Sequence, residues 1–144
     1  MNSPLSTVTT AAQRPRRRQF RNLKFPLLLT YRLPMAGLVS IMHRISGAVL
    51  FLALPFLLWL FDLSLISELS FERLRAVGSN LFVKLVLLLL IWSFFHHLIA
   101  GIRYLTLDLH IGLDLKRSRA SAIAVYVVSL PLTLIAALWL FGLF

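Results

Sequence analysis

The sequence contains no cysteine among its 144 residues. Disulfides, iron–sulfur clusters and zinc sites with thiolate ligands are therefore excluded within this chain. Charged residues are also scarce, at 14% of the chain, and only 5 residues are acidic. No nucleophile–base pair, phosphate-binding loop or cluster of metal ligands is recognisable in what remains.

Apolar residues make up most of the chain instead. The chain is 59% hydrophobic, compared with about 45–50% in ordinary soluble domains. A single small domain exposes too much surface to hide this many apolar side chains from water. We therefore predict a membrane protein whose solvent is the lipid bilayer.

Three stretches are long enough to cross a membrane, since a helix needs about 20 apolar residues to span the hydrocarbon core. They cover residues 36–61, 81–103 and 122–144. The first and third contain Pro55 and Pro131, which transmembrane helices tolerate. We predict an all-α fold with a basic N-terminal segment, residues 1–30, and a three-helix transmembrane domain, residues 31–144.

The net charge of +10 is concentrated near the N-terminus, where no acidic residue occurs. Eight of the 15 basic residues lie in the first 44 positions: Arg14, Arg16, Arg17, Arg18, Arg21, Lys24, Arg32 and Arg44. Because no soluble domain presents this charge, we predict no nucleic-acid binding. A basic run beside a membrane span indicates topology and contact with lipid phosphates.

The loops carry a consistent charge bias. The second loop contains Lys116, Arg117 and Arg119, whereas the first loop has more acidic than basic residues. The positive-inside rule then predicts a cytoplasmic N-terminus and second loop. The Ser-, Thr- and Arg-rich start of the chain also suits a mitochondrial transit peptide. We favour a basic tail on a protein of the bacterial inner membrane.

Polar and small residues form one helical stripe on each of the first two spans. The first stripe contains Ser40, His43, Arg44 and Gly47. The second stripe contains Ser93, His97, Gly101, Tyr104 and Asp108. His43 lies about 10 Å inside the first span and His97 about 9 Å before the end of the second. The two imidazoles are therefore predicted to face each other at one depth, where a polar residue suggests a function.

Haem and quinone are the ligands that suit these side chains. A neutral imidazole with apolar surroundings can bind haem iron, so His97 is a candidate ligand. Gly101 and Ser93 would let a flat macrocycle approach, although small residues serve helix–helix contact equally well. Ser40 and Arg44 could donate hydrogen bonds to a quinone carbonyl, and Arg44 could also bind haem propionates.

Simpler roles explain the remaining polar residues. His96 points about 100° away from His97 on a helix, and we interpret it as structural. His110 falls in a loop and is expected to be solvated. Arg103 is interpreted as reaching the membrane surface with its long side chain, and Lys84 as an interfacial anchor.

Two segments resemble the cytochrome b membrane-anchor family of succinate dehydrogenase. The segment "YRLPMAGLVSIMHRISG" is similar to the family pattern S-I-x-H-R-x-[ST]-G at the start of its first helix. The segment "HLIAGIRYLTLD" is similar to the family's haem-ligand pattern, H-x-x-x-G-[IL]-R-[HY]-x-x-x-D. They occur in this order, about fifty residues apart, in a chain with three apolar spans.

The resemblance implies a role for each matching position. His97 matches the axial ligand of haem b, which implies that it binds the haem iron. Ser40 and Arg44 match residues of the ubiquinone pocket, and His43 and Arg44 match contacts to the haem propionates. Tyr104 stands where some relatives have a second histidine near a propionate. A phenol can donate one hydrogen bond there but brings no positive charge.

The resemblance also implies partners, because this chain would have no activity alone. A flavoprotein subunit with FAD oxidises succinate, and an iron–sulfur subunit passes the electrons to ubiquinone at the membrane. A second haem ligand comes either from His43 or from another protein, and the family implies a second small membrane-anchor subunit. The alternatives are the anchor of a quinol:fumarate reductase, a cofactor-free helical anchor, and a small transporter subunit, which would normally have a polar midplane site.

Overall fold

The computed structural model describes residues 33–143. The predicted basic segment, residues 1–30, lies outside the described residues. Within these residues four helices follow one another: α1 (Met35–Ile66), α2 (Glu68–Gly78), α3 (Leu81–Asp108) and α4 (Leu115–Leu140). Residues 33–143 contain no strand, and α1, α3 and α4 are long and apolar enough to cross a membrane. The prediction of an all-α membrane protein with three spans is confirmed.

Helix α1 begins directly after a proline. The carbonyl of Pro34 accepts hydrogen bonds from the backbone N–H groups of Gly37 and Leu38, at 2.8 and 3.1 Å. The helix runs through Pro55 without interruption and ends at Ile66, five residues beyond the predicted span. Its 32 residues extend about 48 Å at 1.5 Å per residue, so its ends project beyond a hydrocarbon core of about 30 Å.

Helix α2 was not predicted from the sequence. Its first turn is closed by two reciprocal hydrogen bonds: Ser70 N–H donates to Ser67 Oγ at 3.1 Å, and Ser67 N–H donates to Ser70 Oγ at 3.0 Å. Glu68 lies in the first turn and Arg75 in the last, where each charge complements the helix dipole. This helix occupies most of the region that was expected to be the first loop.

Helices α3 and α4 are connected more tightly than predicted. Asp114 caps α4 by accepting a hydrogen bond from Arg117 N–H at 3.0 Å, so α4 starts seven residues before the predicted third span. The second loop shrinks to residues 109–114, with His110 and Gly112 at φ values of 62° and 76°. His110 is exposed there, as expected.

The C-terminal end of α4 also differs from the prediction. The helix stops at Leu140, and Gly142 adopts a left-handed conformation with φ 72°. Gly142 N–H donates to the carbonyl of Trp139 and Leu143 N–H donates to that of Leu138, at 3.0 and 2.9 Å. This is the Schellman arrangement, which terminates a helix at a glycine.

The buried residues lie at one end of the helix bundle. Helix α3 packs against both α1 and α4, and α1 also contacts α4. The buried apolar residues are small: Val39, Ala100, Ala122 and Val125. They come from the start of α1, the end of α3 and the start of α4. Small side chains let helices approach closely when no hydrophobic force drives them together in lipid.

Arg103 is buried rather than directed to the membrane surface, so the sequence interpretation was wrong. Only 6% of this residue is exposed. Its Nε donates to Ser121 Oγ at 3.0 Å, and its Nη2 lies 3.3 Å from both the carbonyl and the hydroxyl of Ser118. The guanidinium therefore joins α3 to α4. Satisfying its donors within the protein offsets part of the cost of burial.

Candidate functional site

The imidazoles of His43 and His97 stack face to face between α1 and α3. Their ring centroids are 4.1 Å apart and their planes differ by 4°. Both residues are half-buried. The expectation that the two histidines lie at one depth on facing helices is therefore confirmed.

The hydrogen bonds of His97 determine which of its ring nitrogens is available. Nδ1 lies 3.1 Å from the backbone carbonyl oxygen of His43 and 3.4 Å from Ser46 Oγ. A carbonyl oxygen can only accept, so Nδ1 carries the proton of the neutral ring. Within residues 33–143 no hydrogen bond reaches Nε2. The lone pair of Nε2 is therefore not used in a hydrogen bond within these residues.

Gly47 on α1 lies directly against the ring of His97. A Cβ atom at Gly47 would lie 2.8 Å from Cε1 and 3.2 Å from Nδ1 of His97, closer than side-chain atoms pack. Gly101 on α3 has more room, since a Cβ there would lie 3.7 Å from Nε2 of His43. The ring of His43 thus covers Gly101, and Ser93 is fully buried between helices. Ser93 therefore allows close helix packing and does not line an open groove.

Tyr104 extends the aromatic cluster toward the end of α3. Its ring lies 5.1 Å from that of His43, with the planes tilted by 57°. The guanidinium carbon of Arg103 lies 5.3 Å from the centre of the Tyr104 ring. The Tyr104 hydroxyl is buried and has no hydrogen-bond partner among the described residues. It is a donor with no acceptor in this part of the chain.

Ser40 and Arg44 lie on the same helix as His43 but are not drawn into the stack. Ser40 is half-buried and Arg44 is exposed. No hydrogen bond or ion pair engages either side chain within residues 33–143. Both residues lie in the first three turns of α1, while Asp108 is exposed at the end of α3.

His96 lies in the packed interior and not beside His97. It is fully buried and its ring lies 5.4 Å from the rings of both Trp92 and Tyr126. Neither of its ring nitrogens has a hydrogen-bond partner in the described part of the chain. The interpretation of His96 as structural stays a prediction.

Sequence reasoning missed Ser46. This residue is fully buried, its hydroxyl donates to the carbonyl of His43 at 3.0 Å, and it also approaches His97. The signal was its position three residues after His43, which brings it onto the same turn.

Lys84 lies where it was expected, with Nζ 5.4 Å from the centre of the Phe141 ring near the other end of the bundle.

Comparison with known proteins identifies a family for this chain. Residues 13–136 match the family described as succinate dehydrogenase/fumarate reductase transmembrane subunit. The chain belongs to this family. The match contains all three spans apart from the last residues of α4, and all the residues of the His43–His97 region.

Individual relatives cover most of both chains. The succinate dehydrogenase cytochrome b556 subunit of Coxiella burnetii is 35% identical over 123 residues, which is 83% of this chain and 98% of that protein. The b556 subunit of Paracoccus denitrificans is 34% identical, over 76% of this chain and 87% of the relative. The b560 subunit of Reclinomonas americana is 32% identical, over 77% and 81%.

Membership in the succinate dehydrogenase/fumarate reductase family assigns the general role. The chain is a multi-pass membrane protein and the cytochrome b membrane-anchor subunit of an oxidoreductase complex. It works beside other subunits of that complex and in contact with lipid. The family removes a transporter subunit from the alternatives.

Proposed function

We propose that this chain would hold haem b through Nε2 of His97 and forms part of a ubiquinone-reduction site with Ser40 and Arg44. The observation that carries the proposal is the bond from Nδ1–H of His97 to the carbonyl of His43. Histidines that bind metals almost always donate their other ring N–H to a carbonyl or carboxylate. The residues present therefore fit a haem, which Nε2 of His97 would hold.

The haem would supply a one-electron carrier held in the membrane. His43 and His97 stack face to face, which supports a second iron ligand from a partner protein. We assign this ligand to a second small membrane-anchor subunit. His43 and Arg44 would hold the propionates, since a guanidinium binds carboxylates with two parallel hydrogen bonds. Tyr104 offers a further hydroxyl donor near His43.

The quinone chemistry would depend on Ser40 and Arg44. Reduction of ubiquinone to ubiquinol takes two electrons and two protons. The electrons would come from succinate through the FAD of a flavoprotein subunit and the clusters of an iron–sulfur subunit. The Ser40 hydroxyl and the Arg44 guanidinium would donate hydrogen bonds to a quinone carbonyl. Arg44 would stabilise the negative charge that develops on that oxygen.

The charge distribution supports a cytoplasmic position for this site, in the inner membrane of a bacterium. The basic residues Lys116, Arg117 and Arg119 lie in the first turns of α4, at the same end of the bundle as Ser40 and Arg44. The positive-inside rule assigns this end to the cytoplasm, where protons for the quinone are available. The relatives reported above are named for succinate dehydrogenase, which favours succinate oxidation over the fumarate reductase alternative.

The test is haem content in the purified complex that contains the full chain. We expect the dithionite-reduced minus oxidised spectrum to have a b-type α-band, and His97→Leu to lower haem content strongly. His96→Phe is the matched control, because it replaces the adjacent histidine with a flat ring that can pack between Trp92 and Tyr126. Normal haem in intact His97→Leu complex would overturn the ligand assignment. A wild-type complex without haem would leave a cofactor-free anchor.

A further inference from the structure

One turn of α1, from His43 to Gly47, surrounds the imidazole of His97. The His43 carbonyl accepts the Nδ1 proton at 3.1 Å, and the His43 ring covers one face of the imidazole at 4.1 Å. The backbone of Gly47 lies against the Cε1 edge, where a Cβ atom would be only 2.8 Å away. Three separate contacts from a single turn therefore fix the ring.

The His43 carbonyl is shared between two donors from side chains. Ser46 Oγ–H donates to it at 3.0 Å, and Nδ1–H of His97 donates to it at 3.1 Å. The longer contact of 3.4 Å between Ser46 Oγ and Nδ1 closes the triangle. Because one oxygen serves both donors, the Ser46 hydroxyl moderates how strongly the carbonyl can bind the imidazole proton.

We propose that the turn from His43 to Gly47 is the positioning element of the His97 ligand, and that it fixes both the Nδ1–H tautomer and the plane of the ring. This inference rests on the proposed haem function. Gly47 and Ser46 are positioning residues, since they act through His97. Through His97 they would set the reduction potential and spectrum of a haem bound at Nε2. Both residues lie on α1, whereas the ligand lies on α3.

The direction of the effect follows from the hydrogen bond. A carbonyl that accepts the Nδ1 proton makes the imidazole a stronger donor to iron, which favours the oxidised metal. A methyl group at position 47 pushes the ring away and weakens that bond, so the potential rises. Removing the Ser46 hydroxyl frees the carbonyl to bind Nδ1–H more strongly, so the potential falls.

The experiment compares variants in the purified, fully assembled complex. We expect Gly47→Ala to raise the haem midpoint potential, to shift the highest g value of the oxidised haem in electron paramagnetic resonance, and to speed haem transfer to apomyoglobin about tenfold. Gly37→Ala is the matched control. It makes the same substitution on the same helix, but its Cβ would meet only Pro34 and Leu33, at ordinary distances of 3.6 Å or more.

Ser46 gives a second test that does not depend on a steric clash. Ser46→Ala should lower the potential, opposite to Gly47→Ala, and Ser46→Thr should restore it because threonine keeps the hydroxyl. If the Gly47→Ala complex does not assemble, the Ser46→Ala variant tests the inference alone, through the sign of its shift in potential. Wild-type potential and g values in both variants would overturn this inference while leaving the ligand assignment intact. A wild-type complex without haem would instead overturn the proposed function.

Discussion

Arg103 shows how a single side chain brings a full positive charge into the helix bundle. No acidic side chain in residues 33–143 forms an ion pair with it, and its hydrogen bonds go to Ser118 and Ser121. Hydrogen bonds from a charged donor contribute about 1.5–3 kcal/mol each. The two serines lie three residues apart on α4. They reach Arg103 only because of the register between α3 and α4, and this register cannot be read from a single sequence.

His43 and His97 were easier to find because helical spacing and depth are readable from one chain. The span ends and the 1.5 Å rise per residue place both imidazoles at one level. The role of Gly47 was not readable in the same way. Its position on the polar stripe was visible, but the contact with Cε1 of His97 depends on how closely α1 and α3 approach.

Removal of the Ser40 hydroxyl provides a test of the quinone site at the residue scale. We expect Ser40→Ala to lower succinate:ubiquinone reductase activity about tenfold, since loss of one hydrogen bond of about 1.4 kcal/mol in the transition state gives that factor. Reduction of an artificial acceptor such as phenazine methosulfate, and the haem spectrum, should be unchanged.

Ser64→Ala is the matched control for Ser40→Ala. It removes a hydroxyl from the same helix near its other end, where Ser64 Oγ donates to the carbonyl of Phe61. Ubiquinone reduction should remain at the wild-type rate in this variant. Equal rates in Ser40→Ala and Ser64→Ala would remove Ser40 from the quinone site.

At the scale of elements, the spans were predictable and their ends were not. Long apolar runs identify α1, α3 and α4, but hydropathy locates the part in lipid rather than the part that is helical. Helix α4 begins at its Asp114 cap and includes the polar residues that follow. Helix α2 was missed because its capping box has serine at the third helical position, where glutamate or glutamine is the usual signal.

The Asp114 cap can be tested by its effect on stability. Asp114→Ala removes the acceptor for Arg117 N–H and should destabilise the start of α4 by about 1 kcal/mol. Asp114→Asn keeps an oxygen that can cap the helix and should retain most of the stability. Thermal denaturation of the purified complex measures the difference. Asn80→Ala, which removes the acceptor for Phe82 N–H at the start of α3, gives a second cap for comparison. A wild-type midpoint for Asp114→Ala would show that the cap contributes nothing.

At the scale of the whole molecule, large apolar side chains cover the outside of the bundle. Phe51 and Leu52 on α1, Phe82 on α3 and Trp139 on α4 are each about three-quarters exposed in the chain by itself. Exposed apolar surface of this extent is expected in lipid or against another transmembrane chain. Trp139 lies near the end of its span, where tryptophan prefers the membrane interface.

The absence of cysteine makes the orientation of the whole chain directly measurable. Leu109→Cys introduces a thiol in the loop between α3 and α4, and Ser79→Cys introduces one between α2 and α3. A membrane-impermeant maleimide added to intact cells that have a permeable outer membrane should label Ser79→Cys at once. It should label Leu109→Cys only after the inner membrane is opened. The reverse pattern would invert the proposed topology and move the quinone site to the outer face.

The uneven distribution of the packed core has a mechanical consequence. Among residues 33–143 the buried residues all lie in residues 39–46, 93–103 and 122–129, so the helices pack most tightly around His43 and His97. Thermal bending of the bundle should therefore change the spacing of the helices least at this site. The opposite ends of the helices can follow changes in bilayer thickness while the spacing of His43 and His97 stays nearly constant.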